Sequence, residues 1–82
     1  MWPEVTIEAR NQEEVDCLLR ALRSAGTAVL VRPGFRVEVG GADRTLILRA
    51  IQACLTKEGI ESAYVVLGGR KHVLTGNVKR QT

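Results

Sequence analysis

The fold of this 82-residue chain is decided by residues 28–39, AVLVRPGFRVEV. Two runs rich in β-branched residues flank Pro33 and Gly34, and such runs around a turn are typical of a β-hairpin. Proline presets the backbone angle φ at the first corner of the turn, and glycine accepts a positive φ at the second. Alternation along the second run also places Phe35 on the face of Val37 and Val39, towards the core.

The same order of elements occurs on both sides of this hairpin. Residues 4–32 contain an alternating apolar run, an amphipathic helical pattern and a second apolar run, and residues 35–67 repeat that order. Two such βαβ-like halves predict one sheet with both helices on one face, because crossover connections are right-handed. A C-terminal hairpin strand is predicted over residues 71–78. We therefore expect a single domain over residues 1–82.

The predicted fold class is α+β, a ferredoxin-like two-layer sandwich of order βαββαβ with an added C-terminal strand. Its two helices are expected near residues 11–25 and 43–58, on one face of a mainly antiparallel sheet whose central strand is the first. The first helical pattern carries a single apolar stripe, as a helix that covers one sheet needs. Asn11 precedes that pattern and is predicted to cap it.

The second helical pattern is apolar around much more of its surface. Ile47 and Ile51 form one stripe, and several leucines extend the apolar surface beyond it. A helix that is apolar on most sides is usually buried on more than one side. We therefore predict an oligomer interface formed by Leu30, Leu46, Leu48 and Leu55.

The chain offers few residues for catalysis or metal binding. Its one histidine, His72, falls on a predicted strand, and no His and Cys cluster has the spacing of a zinc site. Cys17 and Cys54 fall at similar positions in the two helical patterns, where small buried thiols are usual. Two cysteines without a signal-peptide pattern are typical of reduced thiols in the cytosol. We predict no enzyme, no metal and no cofactor, and a cytoplasmic location.

Positive charge is concentrated near the C-terminal end of the chain. Residues 68–82 hold four of the 12 Lys and Arg residues and no Asp or Glu, whereas residues 1–67 hold eight bases and nine acids. A basic segment can bind phosphate groups through charge alone. The four residues are Arg70, Lys71, Lys79 and Arg80.

Two functional classes follow from these patterns. The favoured one is a small, soluble, non-enzymatic interaction or assembly module that self-associates as a dimer or higher oligomer and could also take a protein partner. The alternative is a nucleic-acid-binding protein that uses the basic C-terminal β-hairpin. No membrane partner is expected, because no apolar stretch approaches the ~18 residues that a membrane-spanning helix needs.

Overall fold

A computed structural model describes residues 3–76, which form two helices and five strands. The elements are β1 (Val5–Glu8), α1 (Gln12–Ser24), β2 (Ala28–Arg32), β3 (Arg36–Gly40), α2 (Arg44–Glu58), β4 (Ser62–Leu67) and β5 (Arg70–Thr75). All neighbouring strands are antiparallel, and their order across the sheet is β2-β3-β1-β4-β5. The predicted α+β class, with two helices and an antiparallel sheet, is confirmed.

Alternation along the strands gives the sheet a covered face and an open face. The register aligns Val37, Ile7 and Val65 on three neighbouring strands, and all three are buried. They share one core cluster with buried residues of both helices. Glu8 and Tyr64 lie opposite each other on the other face, where no described element covers them. Both helices therefore pack on the same face of the sheet.

The turn between β2 and β3 has the predicted geometry at Gly34, whose φ is 82°. Phe35, in contrast, is 40% exposed, so its predicted place in the core is wrong. Its φ of 59° is the one positive value among non-glycine residues 3–76, and it turns Phe35 out of the alternation of β3. A left-handed backbone costs such a residue roughly 1–2 kcal/mol.

The two helices begin differently. Asn11 accepts a hydrogen bond from the backbone N–H of Glu14 at 2.9 Å, as predicted for the cap of α1. The Glu14 carboxylate in turn accepts a hydrogen bond from the backbone N–H of Arg10 at 3.0 Å. Asp43, at the start of α2, makes no side-chain bond of this kind. The first helix is therefore fixed at its N-terminus by local hydrogen bonds that the second lacks.

β5 begins at Arg70, one residue before the predicted start, and ends at Thr75, so Gly76 is not part of it; residues 77–78 of the predicted strand lie outside the described residues. Gly76 follows directly, and its backbone N–H donates to the carbonyl oxygen of Glu61 at 2.8 Å. A Cβ at this position would collide with the carbonyl oxygen of Ile60 and lie 3.0 Å from Cβ of Leu55. Glycine is therefore required here for close backbone approach.

Candidate functional site

The sheet ends in two edge strands, β2 and β5, that differ in chemistry. β2 pairs only with β3, so one side of its backbone has no partner strand within residues 3–76. Its sequence, Ala-Val-Leu-Val-Arg, carries one charge, on the terminal Arg32. We call Ala28–Arg32 the β2 edge. Unpaired backbone groups along an apolar strand are a template for pairing with another chain.

Two large apolar side chains of the β2 edge are exposed, one on each face of the sheet. Leu30 is 40% exposed on the open face, and Val31 is 43% exposed on the covered face. α1 packs against β2, and Val29 is half-buried at the margin of the core. Phe35 adds a third exposed apolar side chain just beyond the end of the strand. The β2 edge therefore combines free backbone groups with apolar surface.

The opposite edge of the sheet is charged. β5 begins with Arg70, Lys71 and His72, all of which are exposed. Nζ of Lys71 lies 3.3 Å from Oε1 of Glu8 and 5.0 Å from the centroid of the Tyr64 ring. Charged side chains on an edge strand discourage pairing with a further strand. Of the two edges, β2 is therefore the one suited to association.

The four leucines of the predicted interface do not form one surface. Leu30 lies on the β2 edge, whereas Leu46 is exposed and Leu48 half-buried on α2, the helix that packs against β5 at the other side of the sheet. Leu55 is 2% exposed and belongs to the core. The backbone at Gly76 passes beside Leu55. The chain itself therefore covers the side of α2 that the sequence predicted to face a partner. Leu55 is therefore removed from the predicted interface.

The predicted basic hairpin is only partly within the described residues, since Lys79 and Arg80 lie outside them. Arg70 and Lys71 are consecutive on β5, so their side chains point to opposite faces of the sheet. Lys71 is also paired with Glu8. The described part of the hairpin therefore does not gather its basic side chains on one face.

A second ion pair on the open face joins Arg32 to Glu38. Nε of Arg32 lies 3.3 Å from Oε1 of Glu38, next to the β2 edge.

His72 is exposed on β5. Within residues 3–76, no three His, Cys, Asp or Glu side chains come together as metal ligands would. Neither helix of this part of the chain is long and apolar enough to cross a bilayer.

Cys17 and Cys54 are buried where α1 meets α2. Burial raises the pKa of the Cys54 thiol to about 12, and a hydrogen bond with Cys17 and the charges of Cys17, Glu58 and Glu14 act in the same direction. The sequence placed each cysteine in a helix but did not predict that the two lie close together in the fold. The one signal for their proximity was the similar position of each cysteine in its half of the repeated pattern.

The chain matches no protein-family model, no curated protein and no solved structure. The geometry of the β2 edge, with its exposed Leu30 and Val31, is therefore the basis for assigning a function.

Proposed function

We propose that this chain is a small, non-enzymatic assembly module that self-associates through the β2 edge. The observation that carries the proposal is an edge strand with exposed apolar side chains on both faces and a charge only at its end. Addition of a strand would satisfy the free backbone groups and cover Leu30 and Val31 at the same time. The occupant that best fits this edge is the same strand of a second copy.

Antiparallel pairing of two β2 strands about a twofold axis at Leu30 places the central apolar residues of one strand opposite those of the other. Leu30 then faces its own copy on the open face of the joined sheets, and Val29 faces the partner's Val31 on the covered face. Such a contact is isologous, so it closes as a dimer and leaves no further β2 edge free. Apolar pairs directly opposite each other on neighbouring strands stabilise a sheet by roughly 0.2–1 kcal/mol each.

The charge distribution of α1 supports the same arrangement. The helix packs against β2, its first turn carries Glu13 and Glu14, and its last turn carries Arg23. A twofold axis at Leu30 places the two α1 helices antiparallel, so the acidic half of one helix lies towards the basic half of the other. Complementary charge of this kind favours correct register and faster association.

The proposal includes two finer points about the chain. Its topology is that of a ferredoxin-like sandwich with β5 as an added strand, which is supported by the antiparallel order β2-β3-β1-β4. Its location is the cytoplasm, where free thiols are the usual state and disulfides are transient.

Sedimentation velocity of the full chain over a range of concentrations tests this function. Val31→Lys places a charge on the β2 edge, and Val73→Lys is the matched control, because Val73 is an exposed valine of the opposite edge strand. We expect the unsubstituted chain to dimerise and Val31→Lys to raise the dimer Kd at least about tenfold, or ~1.4 kcal/mol.

Val73→Lys should leave the dimer Kd nearly unchanged, and circular dichroism should show that both variants keep the fold. Equal weakening by the two substitutions would place the contact elsewhere. A compact monomer at the highest concentration of the unsubstituted chain would refute self-association altogether.

A further inference from the structure

The thiols of Cys17 and Cys54 meet across the contact between α1 and α2. They are only 5% and 2% exposed, and both line one groove between the two helices. Their neighbours in the same groove include the small residues Ala21 and Ala53, which allow the two helices to approach closely. Close approach of the two helices is what a disulfide bond between them needs, since the Cα atoms of a disulfide usually lie about 4.4–6.8 Å apart.

A groove of about 330 Å³ is lined by both cysteines, so a small molecule seated in it lies beside them. Its lining includes Arg20, Lys57 and Glu58, which is two positive side chains and one negative. This balance favours an anionic molecule over a cationic one. Peptide disulfides of the glutathione type, which carry carboxylates on both halves, have the matching charge.

We propose that Cys17 and Cys54 form a reversible internal disulfide by exchange with an anionic, low-molecular-weight disulfide that enters this groove. In the first step the Cys17 thiolate attacks one sulfur of the small disulfide RSSR, which breaks the S–S bond and releases RS⁻. In the second step the Cys54 thiolate attacks the sulfur of Cys17 and releases the second RS⁻. The chain loses two electrons and two protons, and RSSR becomes two RSH.

The environment of the two thiols sets the order of these steps. Cys17 is the more exposed of the two, whereas burial and the hydrogen bond with Cys17 raise the pKa of Cys54. The hydrogen bond and the charge of Cys17 both disappear once Cys17 is held in a mixed disulfide. Burial, the largest cause of the raised pKa of Cys54, remains, so the second step is expected to be the slower one. Cys17 is the attacking thiol, and Cys54 is the resolving thiol.

The bond would tie the first half of the chain to the second. It closes a loop from residue 17 to residue 54 that contains β2, β3 and the turn between them. Such a cross-link stabilises a fold mainly by restricting the unfolded chain, provided that native geometry accepts it. The proposal does not depend on association through the β2 edge, since neither cysteine lies on β2.

Equilibration of the full chain in buffers of reduced and oxidised glutathione tests the proposal. The bond is quantified by intact mass after acid quenching, both under native conditions and in concentrated urea. We expect the native chain to lose two hydrogens and two titratable thiols, with an equilibrium constant at least about tenfold larger than in urea. The ratio of the two equilibrium constants measures how strongly the folded state favours the disulfide. By reciprocity, the disulfide stabilises the folded state by the same free energy.

Cys17→Ser and Cys54→Ser are the controls. Cys54→Ser should stop at the mixed disulfide with glutathione, whereas Cys17→Ser, which keeps only the resolving thiol with its raised pKa, should react far more slowly. An equilibrium constant no larger in the native chain than in urea would overturn the proposal. So would accumulation of mixed disulfides or of disulfide-linked dimers in place of the internal bond.

A further variant pair tests the charge of the groove. Arg20→Gln combined with Lys57→Gln should slow exchange with oxidised glutathione severalfold at low salt, because attraction of the anion is lost. The rate with the uncharged hydroxyethyl disulfide should stay the same. Equal slowing with both disulfides would show that the groove does not select an anion.

Discussion

The two halves of the chain follow one pattern but are completed in different ways. In the first half, α1 has a hydrogen-bonded cap at Asn11, yet β2 is a bare apolar edge. In the second half, α2 begins without a side-chain cap, yet the sheet continues into β5, which is charged and held at its end by Gly76. Repetition of a strand-helix-strand pattern therefore does not produce equivalent surfaces. The first half therefore contains both the helix with a hydrogen-bonded cap, α1, and the apolar edge strand, β2.

The largest effect is expected at the close approach that holds the end of β5. Gly76→Ala should destabilise the fold by about 2–3 kcal/mol, because the added methyl group collides with backbone at Ile60 and must be accommodated by movement of β5 or α2. Urea denaturation followed by circular dichroism measures this difference. If the substitution is tolerated, β5 is not held as described and the contrast between the two edges weakens.

Gly69→Ala is the control for that experiment. Gly69 has a φ of 81° and no atom near the position of a Cβ, so alanine there meets only backbone strain of roughly 1 kcal/mol. Equal losses at Gly76 and Gly69 would show that steric collision is not the source of the effect.

The contact between the two halves should make stability depend on pH. The pKa of Cys54 is raised from 9.0 to about 12 in the folded chain, so the folded state holds a proton that the unfolded state loses. This contribution is fully present below about pH 9 and is lost as the pH rises towards 12, by up to ~1.4 kcal/mol per pH unit. Urea denaturation from about pH 8 to about pH 11 measures the slope.

Cys54→Ala removes the titrating group and is the control for the pH series. The difference in the free energy of unfolding between the unsubstituted chain and Cys54→Ala should shrink as the pH rises. A difference that stays constant across the series would mean that Cys54 titrates as it does in the unfolded chain.

A matched pair of cap substitutions compares the two helices directly. Asn11→Ala should cost about 1 kcal/mol, because the backbone N–H of Glu14 loses its hydrogen bond. Asp43→Ala should cost at most about 0.5 kcal/mol, because only a favourable charge near the helix N-terminus is removed. Thermal denaturation of both variants measures the contrast, and a larger loss at Asp43 would reverse it.

The smallest effects are expected on the charged edge. Lys71→Gln should cost about 0.5 kcal/mol through its exposed contacts with Glu8 and Tyr64, whereas Arg70→Gln should change the free energy of unfolding by no more than a few tenths. Chemical denaturation measures both. The same loss in the two variants would mean that the ion pair with Glu8 contributes nothing.

The nucleic-acid alternative is tested by the double variant of Arg70 and Lys71 to glutamine. Four phosphate contacts, with Lys79 and Arg80 included, would give a log–log salt slope of roughly −3.6 on duplex DNA, and the double variant would halve it. Since the described hairpin does not place Arg70 and Lys71 on one face, we expect no salt-dependent affinity in filter binding. A slope near the calculated value would favour the alternative over an assembly module.

Local signals in the sequence were sufficient for the elements of this fold. The turn at Gly34, the cap at Asn11 and the apolar stripe of α1 each depend on residues within a few positions of one another. Phe35 and Leu55 were misplaced, because their exposure is set by a left-handed backbone and by the return of the chain at Gly76. Leu30 was assigned to an interface from the sequence, but the exposure of Val31 depends on how far α1 covers the strand, which periodicity does not give.

The central strand has a consequence for how the chain reaches this structure. β2 with β3 and β4 with β5 are hairpins whose pairing is local, and hairpins of this kind form within microseconds. β1 is four residues long and joins them, with Val5 opposite both Val39 and Leu67. Those contacts close long loops, which slows folding. Insertion of β1 is therefore expected to be the rate-limiting step, so substitutions at Val5 or Ile7 should slow folding more than substitutions in either hairpin.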